Sequence, residues 1–392
     1  MLLNRDRADE IMDREQVEAL VVSTPINTYY ISSWATDPSW GFGDLALAIL
    51  PRDHNKEGAV LTIEIDAGQP QQRDGTWMQI VRGYARKPGT GPGGILTDLQ
   101  IRNDLPRNHQ EAVASYLTEL GLEQSRVAFE DRGLAIDVKA ILGEGFSFVG
   151  ARDLMREIRM VKTAEELAHI RSASRKTELA LQISAEAIAA GATCAEAERC
   201  FWSAATLAGG RPVFLLITPY RPGHGILPKD SALVTDDMVT FDATAEFAHY
   251  TSDIGRTAII GEPNAEQLRR YNATRRGWTN ALDEFRPGRM SLDVEQAVAQ
   301  SIRDAGNPDF KACGVHSVGL EHTDHPHPGG GIHDFELVDG MVISCDLPWF
   351  QPEIGKFHFE DLIYMKEGVV EVVNGADGRL FSCVGGRTYR VE

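Results

Sequence analysis

The chain has 392 residues, a formal net charge of −18 at pH 7, and 43% hydrophobic against 24% charged residues. That balance is ordinary for a globular protein, and the length points to two domains rather than one core. The acidic charge argues against nucleic acid and anionic membrane surfaces as partners, and no uncharged apolar run reaches the roughly 18 residues of a membrane span.

The first stretch, MLLNRDRADEIMDREQVEAL, is charged from residue 5 and lacks the apolar centre of a signal peptide. Five cysteines (Cys194, Cys200, Cys313, Cys345, Cys383) are odd in number and contain no CxxC pair. A disulfide scaffold or a cysteine zinc site is not expected, and a reducing cytoplasm is the simplest setting.

Residues 1 to about 150 alternate helix and strand. The helix RADEIMDREQV leads to ALVVSTP, NTYYISSW, LALAILP and GAVLTIE, whose short apolar runs between turn residues read as buried strands of an α/β sheet. KPGTGPGG, residues 87 to 94, is a Gly/Pro loop. A second unit starts near Lys162. Its first helix opens on a capping box from Thr163 to Glu166 and stops at Gly191, and a helix over CAEAERCFWSAATLAGG follows. GATCAEAE (191 to 198) and GRMSLDVE (288 to 295) share Gly, an acid and Glu at matching positions, and the same offset of 97 carries Ala208-Gly209 onto Ala305-Gly306. The pattern predicts a duplicated α/β half, with a site where the halves face each other.

FDATAEFAHYTSDIGRT, residues 241 to 257, reads as a β-hairpin with two aspartates inside it. With the turn centred between Phe247 and Ala248, Asp242 opposes Asp253. Like charges so placed repel, and they need a cation or a shared proton. An Asp253–Arg256 ion pair is the plain alternative. Downstream, GVHSVGLEHTDHPHPGGGIH holds five of the eleven histidines: His316, His322, His325, His327 and His333. His316 lies among Val315, Val318 and Leu320, whereas His327 and His333 read as surface loop residues. GMVISCDLPWF carries Asp346 in a β-run, and KFHFEDLIYM carries Glu360 in mid-strand. A carboxylate in an apolar strand is costly unless satisfied. Four acids and one histidine on strands point to hard divalent metals bridged by carboxylates.

These residues resemble, over most of 160 to 375, the pita-bread family that includes methionine aminopeptidase, aminopeptidase P, prolidase and creatinase. FDATAEFAHYTSDIGRT is similar to the family's Asp-x10-Asp strand pair. VHSVGLEH resembles GHGIGLE-V-H, GMVISCDLP resembles GMVFTIEPG, and FHFEDLIYM resembles the final ligand strand. REIRMVKTAEEL resembles the domain start of the prolidase-like branch, and INTYYISSW its N-terminal domain. The resemblance implies an N-terminal creatinase-like α/β domain over 1–158. It also implies a C-terminal pita-bread α+β domain over 159–392 with pseudo-twofold duplicated halves. It further implies two divalent ions (Mn, Zn, Co or Fe) on Asp242, Asp253, His316, Asp346 and Glu360, with Asp253 and Glu360 bridging. In the catalytic roles it implies, Asp346 or Glu360 takes a proton from water, while His224 and His322 hydrogen-bond the oxyanion and the leaving nitrogen. An Xaa-Pro dipeptide or a small amide-like metabolite is the implied substrate, and a homodimer the implied assembly.

Two positions depart from the family pattern. Asp346 stands where the family has Glu. The second family histidine falls on Thr323, and His322, one residue away, would point to the other face of a strand unless a bulge intervened. A creatinase-like, metal-free hydrolase using His224 as acid/base, a metal-using lyase of a sulfonium acid, and a non-catalytic binding module are the alternatives the same fold allows. Trp34, Trp40 and Trp349 are candidates for a pocket wall, with burial in a core as the plainer reading.

Overall fold

The computed structural model describes residues 1–35, 46–67, 75–85, 105–326, 334–374 and 378–391. KPGTGPGG, Trp40, His327 and His333 lie outside the described residues. The chain divides into two compact units, Met1–Arg159 and Met160–Glu392.

The first unit is built on a six-stranded mixed sheet. Its strands are β1 (Ala19–Val22), β2 (Ala46–Pro51), β3 (Ala59–Ile63), β4 (Ile80–Tyr84), β5 (Arg126–Phe129) and β6 (Ser147–Gly150), in the order β4-β3-β2-β1-β5-β6. β1 runs parallel to β5 and antiparallel to β2. Helix α1 (Arg5–Glu15) is capped by the Asn4 side chain, as the start of RADEIMDREQV requires. NTYYISSW is not a strand: Pro25–Ser32 forms helix α2. Its β-prone Tyr and Ile residues are overruled by the start signals before them, Thr24 as N-cap and Pro25 in the first turn. Helices α3 (His109–Glu119) and α4 (Arg132–Leu142) bring Val113, Leu117, Leu134 and Val138 into a common core with Val21, Ile49, Leu61 and Phe129.

In the second unit, α5 (Ala164–Glu186) carries the Thr163–Glu166 capping box and ends before Gly191, and α6 spans Cys194–Leu207. The strands of the first half are β7 (Arg211–Arg221), β8 (Gly225–Ile226), β9 (Met238–Phe247), β10 (Tyr250–Thr251) and β11 (Ile254–Ile260). Helices α7 (Ala265–Asn280) and α8 (Ser291–Asp304) precede β12 (Gly314–Ser317), β13 (Val342–Gln351) and β14 (Gly355–Lys366). The sheet path is β12-β13-β14-β11-β9-β7-β8, with β15 (Val369–Val372), β16 (Leu380–Val384) and β17 (Arg387–Val391) attached beside it.

The duplication is visible in this order. Helices α6 and α8 are both 14 residues long and begin 97 residues apart (291 − 194). The helices of each half pack on a different part of the sheet. Leu181 and Phe201 of α5 and α6 pack on Ile217, Phe241 and Ile254, whereas Trp278, Val294 and Val298 of α7 and α8 pack on Ile343, Phe357 and Phe359.

The β9 hairpin turns one residue later than the sequence suggests. Tyr250 pairs with Phe247 and Ile254 with Ala243, so Asp242 faces Gly255 rather than Asp253. The turn residues Ala248 and His249 take φ of 50° and 67°, the left-handed geometry of a tight hairpin turn. Because the pairing moves by two residues, both aspartates stay on one face of the sheet. Two L-residues in this region are strained, at about 1 kcal/mol or more each. Ala248→Asn, which suits a left-handed turn better, is expected to stabilise the protein by up to about 1 kcal/mol, read as a higher urea midpoint; a lower midpoint would count against strain at this turn.

Candidate metal centre

Three backbone registers line up the acids. Asp242 on β9 opposes Gly255 on β11, Gly255 opposes Glu360 on β14, and Glu360 opposes Asp346 on β13. Asp242, Glu360 and Asp346 therefore stand in one row across four strands. The only gap in that row is a glycine. Asp253 sits in the break between β10 and β11, 1% exposed, and accepts a hydrogen bond from Thr244 Oγ1 at 3.2 Å.

Histidines close the cluster from above. His316 on β12 holds Nε2 3.4 Å from Asp253 Oδ2 and 4.0 Å from Glu360 Oε1. Its Nδ1 lies 3.2 Å from Ser317 O, a partner that, as an acceptor, puts the proton on Nδ1 and leaves Nε2 bare. His322 reaches the same place without any bulge. Residues 318–323 are irregular rather than strand, so strand alternation does not govern them, and His322 Nε2 lies 2.9 Å from Asp253 Oδ2. The His322 ring sits 5.5 Å from Phe214 and 5.7 Å from His316, centre to centre, and Thr323 Oγ1 is 3.3 Å from its Nδ1. Thr323 thus serves as a neighbour of the histidine.

His358 was not singled out by sequence, although the alternation Lys356, His358, Glu360 along β14 puts it on the face of Glu360. Its Nε2 lies 2.6 Å from Asp346 Oδ1 and 3.5 Å from Glu360 Oε2. Three overlapping groups result, Asp242/Asp253/His322, Asp242/His358/Glu360 and Asp253/His316/Glu360, each with its donor atoms within 4.8 Å of one another.

The electrostatics show a site short of positive charge. Burial, followed by the charge of Glu360, pushes the Asp242 carboxyl up to about 7. Burial and then Asp253 push Glu360 up to about 8. Burial, with Asp242 and Asp346 nearby, holds Asp253 well above the usual carboxylate range. Asp346 goes the other way: burial opposes its charge, but the hydrogen bond from His358 keeps the carboxyl low. Asp253 Oδ2 and Glu360 Oε2 are buried with no aligned hydrogen-bond donor, although ring nitrogens stand nearby. Buried acceptors left open on a shared face, with imidazole beside them, fit a divalent cation.

Behind the row, Arg256 does not pair with Asp253. Its guanidinium, 1% exposed, meets Asp361 Oδ1 at 2.7 Å and donates to the Glu360 carbonyl at 2.9 Å. Thr257 Oγ1 accepts from His358 N at 2.8 Å and donates to His358 O at 2.9 Å. Under the histidine segment, the buried Lys162 Nζ lies 3.5 Å from Asp324 Oδ2. His224 is not brought to the cluster: it is exposed in the turn between β7 and β8, with Nδ1 3.3 Å from Pro222 O. Trp34 and Trp349 are buried, Trp349 stacked on Phe357 at 4.9 Å. All five cysteines are free.

A carboxylate-rich cradle between two duplicated halves, joined to a separate α/β unit, defines a pita-bread protein equipped to bind divalent metal. Residues 168–367, just over half of the chain, match the model of metallopeptidase family M24, and residues 5–161 match the creatinase/prolidase N-terminal domain. The chain belongs to metallopeptidase family M24. It is 26% identical over 224 residues to an Xaa-Pro dipeptidase of Pyrococcus furiosus, covering 55% of this chain and 63% of that protein. Among solved structures it resembles the prolidase of Pyrococcus horikoshii, with TM-score 0.70 and 20% identity over 95% of this chain and 98% of that one. It also resembles an X-Pro aminopeptidase of Thermotoga maritima, with TM-score 0.75 and 18% identity over 94% and 99%. At these identities the two structures bear on fold alone.

Removing metal exposes the crowding to titration. Asp242 and Glu360 are raised from ordinary values of 3.8 and 4.5. Their folded forms therefore hold protons that the unfolded chain gives up, and that stability is lost as pH rises through the folded values. His358, also raised, acts in the same direction. Chelator-treated protein is expected to melt at falling temperature between about pH 4 and pH 8, and added divalent metal to remove the loss; a flat or rising profile would contradict the crowding. Arg256→Met strands Asp361 in the interior and is expected to cost about 3–5 kcal/mol by urea denaturation, a near-neutral result meaning that water reaches Asp361.

Proposed function

We propose that the protein is a metal-dependent hydrolase of a peptide or amide C–N bond, acting on an Xaa-Pro dipeptide or a small amide-like metabolite. The row of Asp242, Glu360 and Asp346, closed by Asp253 and His316, is the observation that carries this reading. Family membership and the dipeptidase name of the Pyrococcus furiosus relative support it. Two divalent ions (Mn, Zn, Co or Fe), held by Asp242, Asp253, His316, Asp346 and Glu360, would supply a lowered water pKa and a polarised scissile carbonyl.

The protein's own groups do the rest. Asp253 Oδ2 and Glu360 Oε2 accept no aligned hydrogen bond, which supports both residues as holders of the ions. Asp346 or Glu360, paired across β13 and β14, accepts a proton from water in this reading. His322 is 29% exposed at its side chain. In this reading it hydrogen-bonds a substrate carbonyl oxygen or the leaving nitrogen. His224 takes no step in this reading because its ring is exposed in the turn between β7 and β8 and is not among the clustered donors. The reading extends to a homodimer, on the family resemblance, and to the cytoplasm, which the five free cysteines favour. Among the described residues no helix is long and apolar enough to cross a membrane.

Stripped protein is expected to take up two equivalents of Mn(II) or Zn(II) and to hydrolyse Xaa-Pro dipeptides only when loaded. Asp253→Ala is expected to lose metal and to lower kcat/KM on the order of a thousandfold. Fully loaded wild-type protein that leaves every Xaa-Pro dipeptide and amide intact would remove the hydrolase assignment.

A further inference from the structure

We infer that His358 is a direct nitrogen ligand to the ion held by Asp242 and Glu360, so that each of two ions has its own histidine. The inference rests on the metal reading above and adds a residue to it. His358 Nε2 shares one 4.8 Å cluster with donor atoms of Asp242 and Glu360, just as His316 does with Asp253 and Glu360. Glu360 is common to both groups, with a histidine on either side of it.

The protein makes room for this ring. A Cβ on Gly255 would lie 2.8 Å from His358 Nε2 and 2.7 Å from Glu360 Cβ. Gly255 is not among the residues of positive φ, so its backbone does not require glycine. What requires it is the space the imidazole and the glutamate occupy. The backbone that carries the ring is also held from behind, since Thr257 Oγ1 bonds both the main-chain N–H and the carbonyl of His358. Beside it stands Asp346, an acid one methylene shorter than glutamate, whose Oδ1 lies 2.6 Å from the His358 nitrogen. These contacts hold the His358 ring nitrogen beside the carboxylates of the cluster.

The chemical consequence is a change of preference. Asp242 and Glu360 alone offer hard oxygen donors, which suit Mg or Mn. An added imidazole moves the site toward Zn or Co, in the order that nitrogen donors favour. The competing arrangement has His358 only hydrogen-bonding Asp346, outside the coordination sphere.

Cadmium-113 loading of full-length protein with 15N-labelled histidine separates the two, because scalar coupling between the metal and a ring nitrogen appears only across a direct bond. Coupling is expected at the His358 ring as well as at His316, and His358→Gln is expected to lose it. In zinc titrations of stripped protein, the second equivalent is expected to weaken more than about tenfold in His358→Gln, with Mn(II) affected less. Gly255→Ala, which displaces the ring without removing it, is expected to lose the same coupling. Cadmium coupled to His316 with none at His358 in the wild-type spectrum would overturn the inference and leave the hydrolase reading standing. Wild-type protein that takes up no cadmium, zinc or manganese would bring down both.

Discussion

Everything around the centre answers one electrostatic difficulty: buried and half-buried carboxylates on one face of a sheet, within reach of each other's charge. Asp242, Glu360 and Asp346 are set by strand register and cannot separate without breaking ladders, and Asp253 joins them from a break in the hairpin. In an apolar interior such a set must bind protons, find cations or come apart. Burial raises three of the four carboxyls, and the one held low, Asp346, is the one whose hydrogen bond from His358 outweighs its burial. Stability and chemistry therefore draw on the same charges. The crowding that raises these carboxyls also suits this face to a divalent ion.

The back of the sheet is neutralised differently. Arg256 is spent on Asp361 and on backbone carbonyls, not on the acids of the row. Adjacent residues of β14 thus have opposite duties: Glu360 faces the cradle with an open oxygen, and Asp361 faces an arginine. The period of two along a strand keeps these duties apart, and a slip of one residue would exchange them.

Much of this was legible in the sequence because it obeys simple periodicities. The two aspartates, His316, Asp346 and Glu360 declared themselves as polar residues in apolar strands, and the 97-residue offset announced the duplicated halves. What was not legible depended on backbone geometry without a compositional mark. The hairpin turn uses Ala248 and His249 in a conformation normally signalled by Asn or Gly, so its centre was misplaced by one residue. NTYYISSW carries strand-like residues behind a helix start, and the start prevails. His322 was judged by strand alternation but sits in an irregular segment where alternation has no force. His358 was hidden in plain view, two residues before Glu360, because a lone histidine in an apolar strand gives no sign of what faces it across the sheet.

The duplicated architecture has a further meaning for how this centre exists at all. Asp242 and Asp253 come from the first half, and His316, Asp346, His358 and Glu360 from the second. The two halves meet where Gly255 pairs with Glu360, and side chains of Arg256 and Thr257 stitch the rest of that seam to β14. Neither half alone holds the complete set of donors. An ion seated there would act as a rivet through the seam, and its binding energy would become cohesion between the two halves.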